Sequence, residues 1–111
     1  MKHAAAKNPQ KAPRFWRDDA LPFIEARAIA DGREVCYSRH SHAHFSIGAI
    51  TAGRSIYVHE QSTFEVAAGT VVLMNPGDVH ACNPIDDQPW SYLMLYVETP
   101  WLTDLQHQLG F

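Results

Sequence analysis

An all-β sandwich or small barrel is the fold this sequence predicts, on three observations. Short apolar or alternating stretches recur roughly every 8–12 residues, the spacing of short antiparallel strands. A glycine or proline separates most of them. No period of roughly 20–50 residues recurs, which excludes a solenoid. The 111 residues suffice for one domain with a genuine core and leave no room for a second module.

The elements follow in chain order. Met1 to Lys11 carries Lys, Ala, Asn and Pro with no apolar stretch, a disordered lead rather than a secretory signal. Phe15-Trp16-Arg17 and Leu21-Pro22-Phe23 form an irregular aromatic segment that packs on the body. Phe23 to Arg27 sets Phe23, Glu25 and Arg27 against Ile24 and Ala26, a first strand. Asp31-Gly32 signals a turn, and Arg33 to Ser38 continues as strand. Phe45 to Thr51 is the next strand, closed by Ala52-Gly53; Arg54 to Glu60 and Thr63 to Val66 then make a hairpin around Gln61-Ser62. Thr70 to Met74 is a continuous apolar run, typical of a strand buried on both faces. Asn75-Pro76-Gly77-Asp78 is the strongest turn, with Asp78 bonding nearby amides. Trp90 to Val97 is the last strand. Thr99 as N-cap and Pro100 at the first helical position open a helix with Trp101, Leu105 and Leu109 on one face. The sequence stops at Phe111 just as that stripe appears, which places a domain boundary there.

Charge is unevenly spread. Met1 to Arg17 holds five bases and no acid, whereas Asp18 onward holds twelve acids against four bases, a balance of −8. Such a surface repels phosphate, so the folded part is a poor nucleic-acid binder by itself. No apolar run approaches the roughly 18–20 residues needed to cross a bilayer. Cys36 and Cys82 are too few for a disulfide framework and read as buried free thiols of a reducing cytoplasm.

The histidines carry the strongest functional signal. His42 and His44 lie two apart and project to one face of a strand, a parity shared by His40, while Phe45, Ile47 and Ala49 take the other. A third imidazole, His80, follows the tight turn, and Cys82 shares its parity. Three converging imidazoles make either a metal site or a polar, pH-sensitive wall of a ligand cavity. Trp90, Tyr92, Met94 and Tyr96 also share one face: aromatic rings with polar handles suit a small amphipathic ligand, although an ordinary core would use the same residues. His3, His59, Glu60 and His107 read as surface residues, and Asp86 to Pro89 as a solvated turn.

Taken together, His42-Ala43-His44, Gly53, Gly69, Pro76 to His80 and Asn83 resemble the two motifs of the cupin barrel, and His42 to Gly48, Asn75 to His80 and Trp90 to Tyr96 stand in the order found in one branch of it. The more specific likeness is to the N-terminal sensing domain of AraC-type transcriptional regulators, carried by Asn75 ahead of the Pro-Gly-Asp turn and by the Trp90 segment. It covers about residues 15–101. The resemblance implies a cupin-like jelly-roll barrel with a short C-terminal helix: 1–13 a disordered basic tail, 14–99 the sensing barrel, 100–111 the start of a C-terminal helix or linker. It implies a cytoplasmic, non-catalytic domain that binds a small-molecule effector through His42, His44, His80, Cys82, Tyr92 and Met94. Trp90 and Tyr96, near the strand ends, are left to the core. Partners would be the effector, a second copy in a homodimer, and DNA only through C-terminal helix-turn-helix units that these residues do not include; no membrane is involved. No cofactor is required, but His42, His44 and His80 form a candidate site for zinc or nickel. Enzymatic cupins add a carboxylate four or five residues after the second histidine, where this chain has Gly48 and Ala49. The alternative is a small metal-dependent cupin enzyme, a dioxygenase or isomerase; a third reading is a dimerisation domain built on the helix stripe.

Overall fold

A computed structural model of the chain describes residues 13–35 and 43–111. The elements are β1 (Arg14–Trp16), β2 (Ile24–Ile29), a short 3-10 turn (Gly32–Val35), β3 (Phe45–His59), β4 (Ser62–Ala67), β5 (Val71–Met74), β6 (His80–Pro84), β7 (Trp90–Val97) and α1 (Thr99–Gln108). Every strand pairing is antiparallel. The architecture is the expected all-β barrel of two sheets with one short C-terminal helix. No helix among the described residues is long and apolar enough to cross a membrane.

The 15-residue β3 organises both sheets. Its first half, Phe45 to Ile50, pairs with β7 on one side and β5 on the other; its second half, Arg54 to His59, pairs with β4 and β6. The sequence predicts two strands separated at Ala52-Gly53. Instead the chain stays extended and bends there. The register against β7 slips between Ile50 and Ala52, and Gly53 adopts φ +73. A side chain at Gly53 would also strike the Pro89 carbonyl at 2.5 Å, so both the backbone angle and the space require glycine. The slip has a second consequence. Ser46, Gly48 and Ile50 are buried on even numbers, Ser55 and Tyr57 on odd ones. One inserted residue has switched which parity faces inward. Both halves therefore turn a buried face to the interior, where Ile50, Tyr57, Val66, Met74 and Trp90 form the core.

Three further elements depart from expectation. Residues 32–35 form the 3-10 turn rather than strand, because the Asp31 carboxylate accepts the Arg33 amide at 3.0 Å and competes with sheet pairing. The rest of the expected strand, with Cys36, lies outside the described residues, as do His40 and the lead to residue 12. Strand β5 is not buried on both faces: Val72 and Met74 turn inward, while Val71 and Leu73 are 59 % and 60 % exposed. With Leu93 they make an apolar outer surface on the larger sheet. The Phe15 segment is not irregular but forms edge strand β1, in register Phe15↔Arg27 with β2.

Helix α1 is held by its first turn. Trp101 stacks on Phe23 at 3.9 Å between ring centroids, a contact worth about 0.5–1.5 kcal/mol beyond its buried area. Thr99 does not cap the helix. Glu98 occupies that position without a side-chain bond, and the Thr99 hydroxyl donates to the Ala43 carbonyl at 2.9 Å, tying the helix start to the approach of β3. Leu109 is exposed.

Candidate functional site

Between the sheets lies a cavity of about 290 Å3. Strand register assembles its wall. Arg27 and Ile29 of β2 face Met94 and Tyr92 of β7; Gly48 and Ile50 of β3 face the same two residues from the other side. Val72 and Met74 come from β5, His80 and Cys82 from β6, and Pro13 from the approach to β1; Trp90 and Tyr96 complete the ring. Most of this wall is apolar, so a guest gains from burying hydrocarbon, and the few polar groups fix its orientation.

Trp90 lies at one end of β7. Gly32 packs flat against its indole, where an added Cβ would stand 2.2 Å from Cε2, and Tyr92 stacks beside it at 6.4 Å. Arg33 anchors this end by forking its Nε and Nη2 onto buried Asp31 and by donating Nη1 to the Asp87 carbonyl at 2.8 Å. At the other end Arg27 lies over two rings, 5.2 Å from Tyr96 and 4.7 Å from Phe15. Its Nη2 reaches Glu25 at 3.5 Å, and its Nε is buried with no partner. Trp90 Nε1, Tyr57 OH, Ser46 Oγ and Ser55 Oγ are likewise buried and unpartnered. Buried donors without acceptors are rare in finished interiors and mark places where water or a ligand completes the network.

His80 is 4 % exposed, and its Nδ1 donates to the Asp78 carbonyl at 3.1 Å. That bond fixes the proton of the neutral ring on Nδ1 and makes Nε2 an acceptor. The turn supplying the carbonyl is braced by the Asp78 carboxylate, which accepts the Asn75 amide at 3.0 Å and pairs with His59 Nε2 at 2.9 Å. Those bonds, the His59 contact first, hold the Asp78 carboxyl below the usual carboxylate range. His59, expected at the surface, is thereby half-buried; the β3 slip puts it on the inner face, paired with His80. Burial, with the Cys82 and Asp78 charges adding to it, pushes the Tyr57 phenol up to about 12, so it stays a neutral donor.

Of the residues singled out from sequence, His80, Cys82, Tyr92 and Met94 line the cavity. His42 lies outside the described residues. His44 has the inward parity but is exposed and opens onto a second hollow with Arg17, Phe23, Glu25 and Glu98, sharing only the Arg27 and Tyr96 walls with the cavity. The reason is distance along the strand: four residues from Gly48 is roughly 13 Å, beyond the rim that Tyr96 makes. Trp90 and Tyr96, assigned to the core from sequence, line the cavity too. Arg27 was missed. The signal was the alternation Glu25-Arg27-Ile29 against Ala26 and Ala28, in which the charged parity, not the alanine parity, faces inward.

Among the described residues no three His, Cys, Asp or Glu side chains are placed to hold a metal ion. At the position of the enzymatic cupin carboxylate, a Cβ on Gly48 would stand 3.1 Å from Val72 and 3.2 Å from the Met94 thioether. A larger side chain there requires Val72 and Met94 to give by a few tenths of an ångström. His42, one of the three expected ligands, lies outside the described residues.

Solved structures share this architecture at low identity. A cupin 2 conserved barrel domain protein from Salinispora arenicola superposes with a TM-score of 0.68 at 16% identity, over 97% of this chain and 95% of that one. A cupin protein from Bacteroides fragilis gives 0.66 at 21% identity, over 84% and 81%. A DMSP lyase from Ruegeria pomeroyi gives 0.56 at 23% identity, over 68% and 38%, so the fold also serves enzymes. No curated protein sequence matches the chain. The family model described as the AraC-like ligand binding domain matches residues 23–111, through β2 to α1 and every wall of the cavity except Pro13, and the chain belongs to that family.

Proposed function

We propose that this barrel is the effector-sensing and dimerisation unit of an AraC-type transcriptional regulator in the bacterial cytoplasm. A small molecule enters the cavity, contacts His80, Cys82, Tyr92 and Met94, and biases a DNA-binding domain outside these residues. The observation that carries this is the largely apolar cavity of about 290 Å3 with buried, unpartnered donors of Arg27 and Trp90 in its wall. Such a wall is built to be completed by a guest. Signalling requires the guest to bind two states of the domain with different affinity. Residues 15–22 are the reporter: Pro13 touches the cavity, and Phe15 covers Arg27. Helix α1 offers the dimer contact through Leu105 and exposed Leu109.

The test is hydrogen exchange of residues 14–22 with and without a ligand found by thermal-shift screening. Protection that rises with saturation supports the sensor. Unchanged protection at saturation rejects the coupling. An enzymatic reading predicts stoichiometric metal in the purified protein, lost in His42→Ala; Gly48 and Ala49 in place of a carboxylate favour the non-catalytic one.

A further inference from the structure

We infer that the cavity takes a small amphipathic monocarboxylate, an aromatic or short aliphatic acid whose carboxylate rests on Arg27; this builds on the ligand-sensing reading above. Among the described residues that line the cavity, Arg27 carries the permanent charge. Its guanidinium is poorly provided for. The two ring faces of Phe15 and Tyr96 flank it, Nε is buried without a partner, and Nη2 reaches Glu25 only at 3.5 Å. Glu25 is itself shared, taking Arg17 at 3.3 Å. A guanidinium in this condition accepts a carboxylate readily, through charge-assisted bonds that a neutral oxygen forms less strongly.

The rest of the wall sets the remainder of the ligand. Ile29, Ile50, Val72, Met74 and Met94 leave hydroxyl groups without partners, which disfavours a sugar. Trp90, Tyr92 and Tyr96 offer flat rings to a planar or chain-like body. One cation matches one negative charge, and an amine meets repulsion. The volume is about 290 Å3, and at about 30 Å3 per water it accommodates roughly ten water-sized groups. His80, on β6, offers a hydrogen bond to a second polar substituent of the ligand.

The experiment titrates the full chain with phenylacetate, octanoate, phenylacetamide, phenethylamine and L-arabinose, read by calorimetry and by Trp fluorescence. Expected is saturable binding of one or both acids, at least tenfold tighter than the isosteric amide. Arg27→Gln brings acid and amide within about twofold of each other, chiefly by weakening the acid, and Arg27→Lys retains part of the preference. Glu25→Gln tightens the acid several-fold by releasing Arg27, and this gain disappears when Glu25→Gln is combined with Arg27→Gln, which a merely structural role for Arg27 does not produce. If Arg27→Gln fails to fold, the wild-type contrast of acid with amide and the Glu25→Gln shift decide. Amide, amine or arabinose binding as tightly as the acids overturns the carboxylate assignment and leaves the sensor reading standing. No binding by any probe to 10 mM overturns the assignment and counts against the sensor reading as well.

Discussion

Trp90 and Tyr96 sit six residues apart on β7, so roughly 20 Å of strand separates the two ends of the cavity, and the ends are built on different terms. At the Trp90 end, the indole is 2 % exposed, glycine packs flat on its face, and the buried Asp31 carboxylate grips Arg33 from the same turn. At the Tyr96 end, the cover is Phe15, 61 % exposed, on a three-residue edge strand with one neighbour. Packing density and buried charge make the first end rigid; few buried contacts and an exposed edge make the second adaptable. A binding domain gains from this division, since the rigid end fixes where a ligand stops and the loose end decides whether it enters.

The comparison breaks first at Gly32. Gly32→Ala places a methyl group 2.2 Å from Trp90 Cε2, so the indole or the turn must shift. The expected loss is about 3 kcal/mol, at the upper end for overpacking. Urea unfolding followed by Trp fluorescence measures it. A loss below about 1 kcal/mol means the indole end yields, and the two ends are then alike.

Asp31→Asn is next. Asparagine can still accept the Arg33 amide but leaves the guanidinium without its carboxylate. A fully buried pair broken on one side costs about 3–5 kcal/mol. Arg33 retains some solvent contact, which reduces the expected cost to about 2 kcal/mol. If Asp31→Asn unfolds with the wild type, the grip on Arg33 contributes nothing to this end.

Acid tests the turn between the ends. Asp78 titrates below the usual carboxylate range in the folded protein, chiefly through His59 and the Asn75 amide. The unfolded chain therefore binds the proton first, at about pH 4. The stabilisation is complete above that pH and is lost as pH falls through the lower folded value. Asp78→Asn should flatten this acid limb in thermal melts between about pH 5 and 2. An unchanged acid limb places the titration elsewhere.

How much of this was legible in the sequence depends on whether local pattern or long-range register decided the residue. The β7 run from Trp90 to Val97 and the turn before His80 were readable because alternation and Pro-Gly chemistry are local. That placed Tyr92, Met94, His80 and Cys82 on faces the structure turns to one cavity. His44 had the right parity, but no pattern says how far along a strand a cavity ends. Continuity through Ala52-Gly53 was hidden because a glycine that kinks a strand looks like one that ends it; the resulting phase change misplaced His59. Arg27 was ambiguous for a related reason: the alternation with Ala26 and Ala28 marks two faces without saying which is inner. Periodicity sends charge outward, and only the pairing of β2 with β7 reveals an arginine facing Met94.

The smallest expected effect is the one that sharpens the comparison most. Phe15→Ala removes a ring 4.7 Å from the Arg27 guanidinium. An exposed cation–π contact is worth about 0.5–1 kcal/mol, and where that free energy appears depends on how the two ends are coupled. Among the described residues strand β1 pairs with β2 alone, so its amides exchange by local fraying rather than by global unfolding. Protection of residues 14–16 should then fall about two- to fivefold, as 0.5–1 kcal/mol implies. Exchange at Trp90 to Tyr92 and the urea midpoint should hold at wild-type values. If β7 amides at the Trp90 end lose protection in step with β1, the mouth is not a separate opening unit, and ligand entry requires the whole barrel to open.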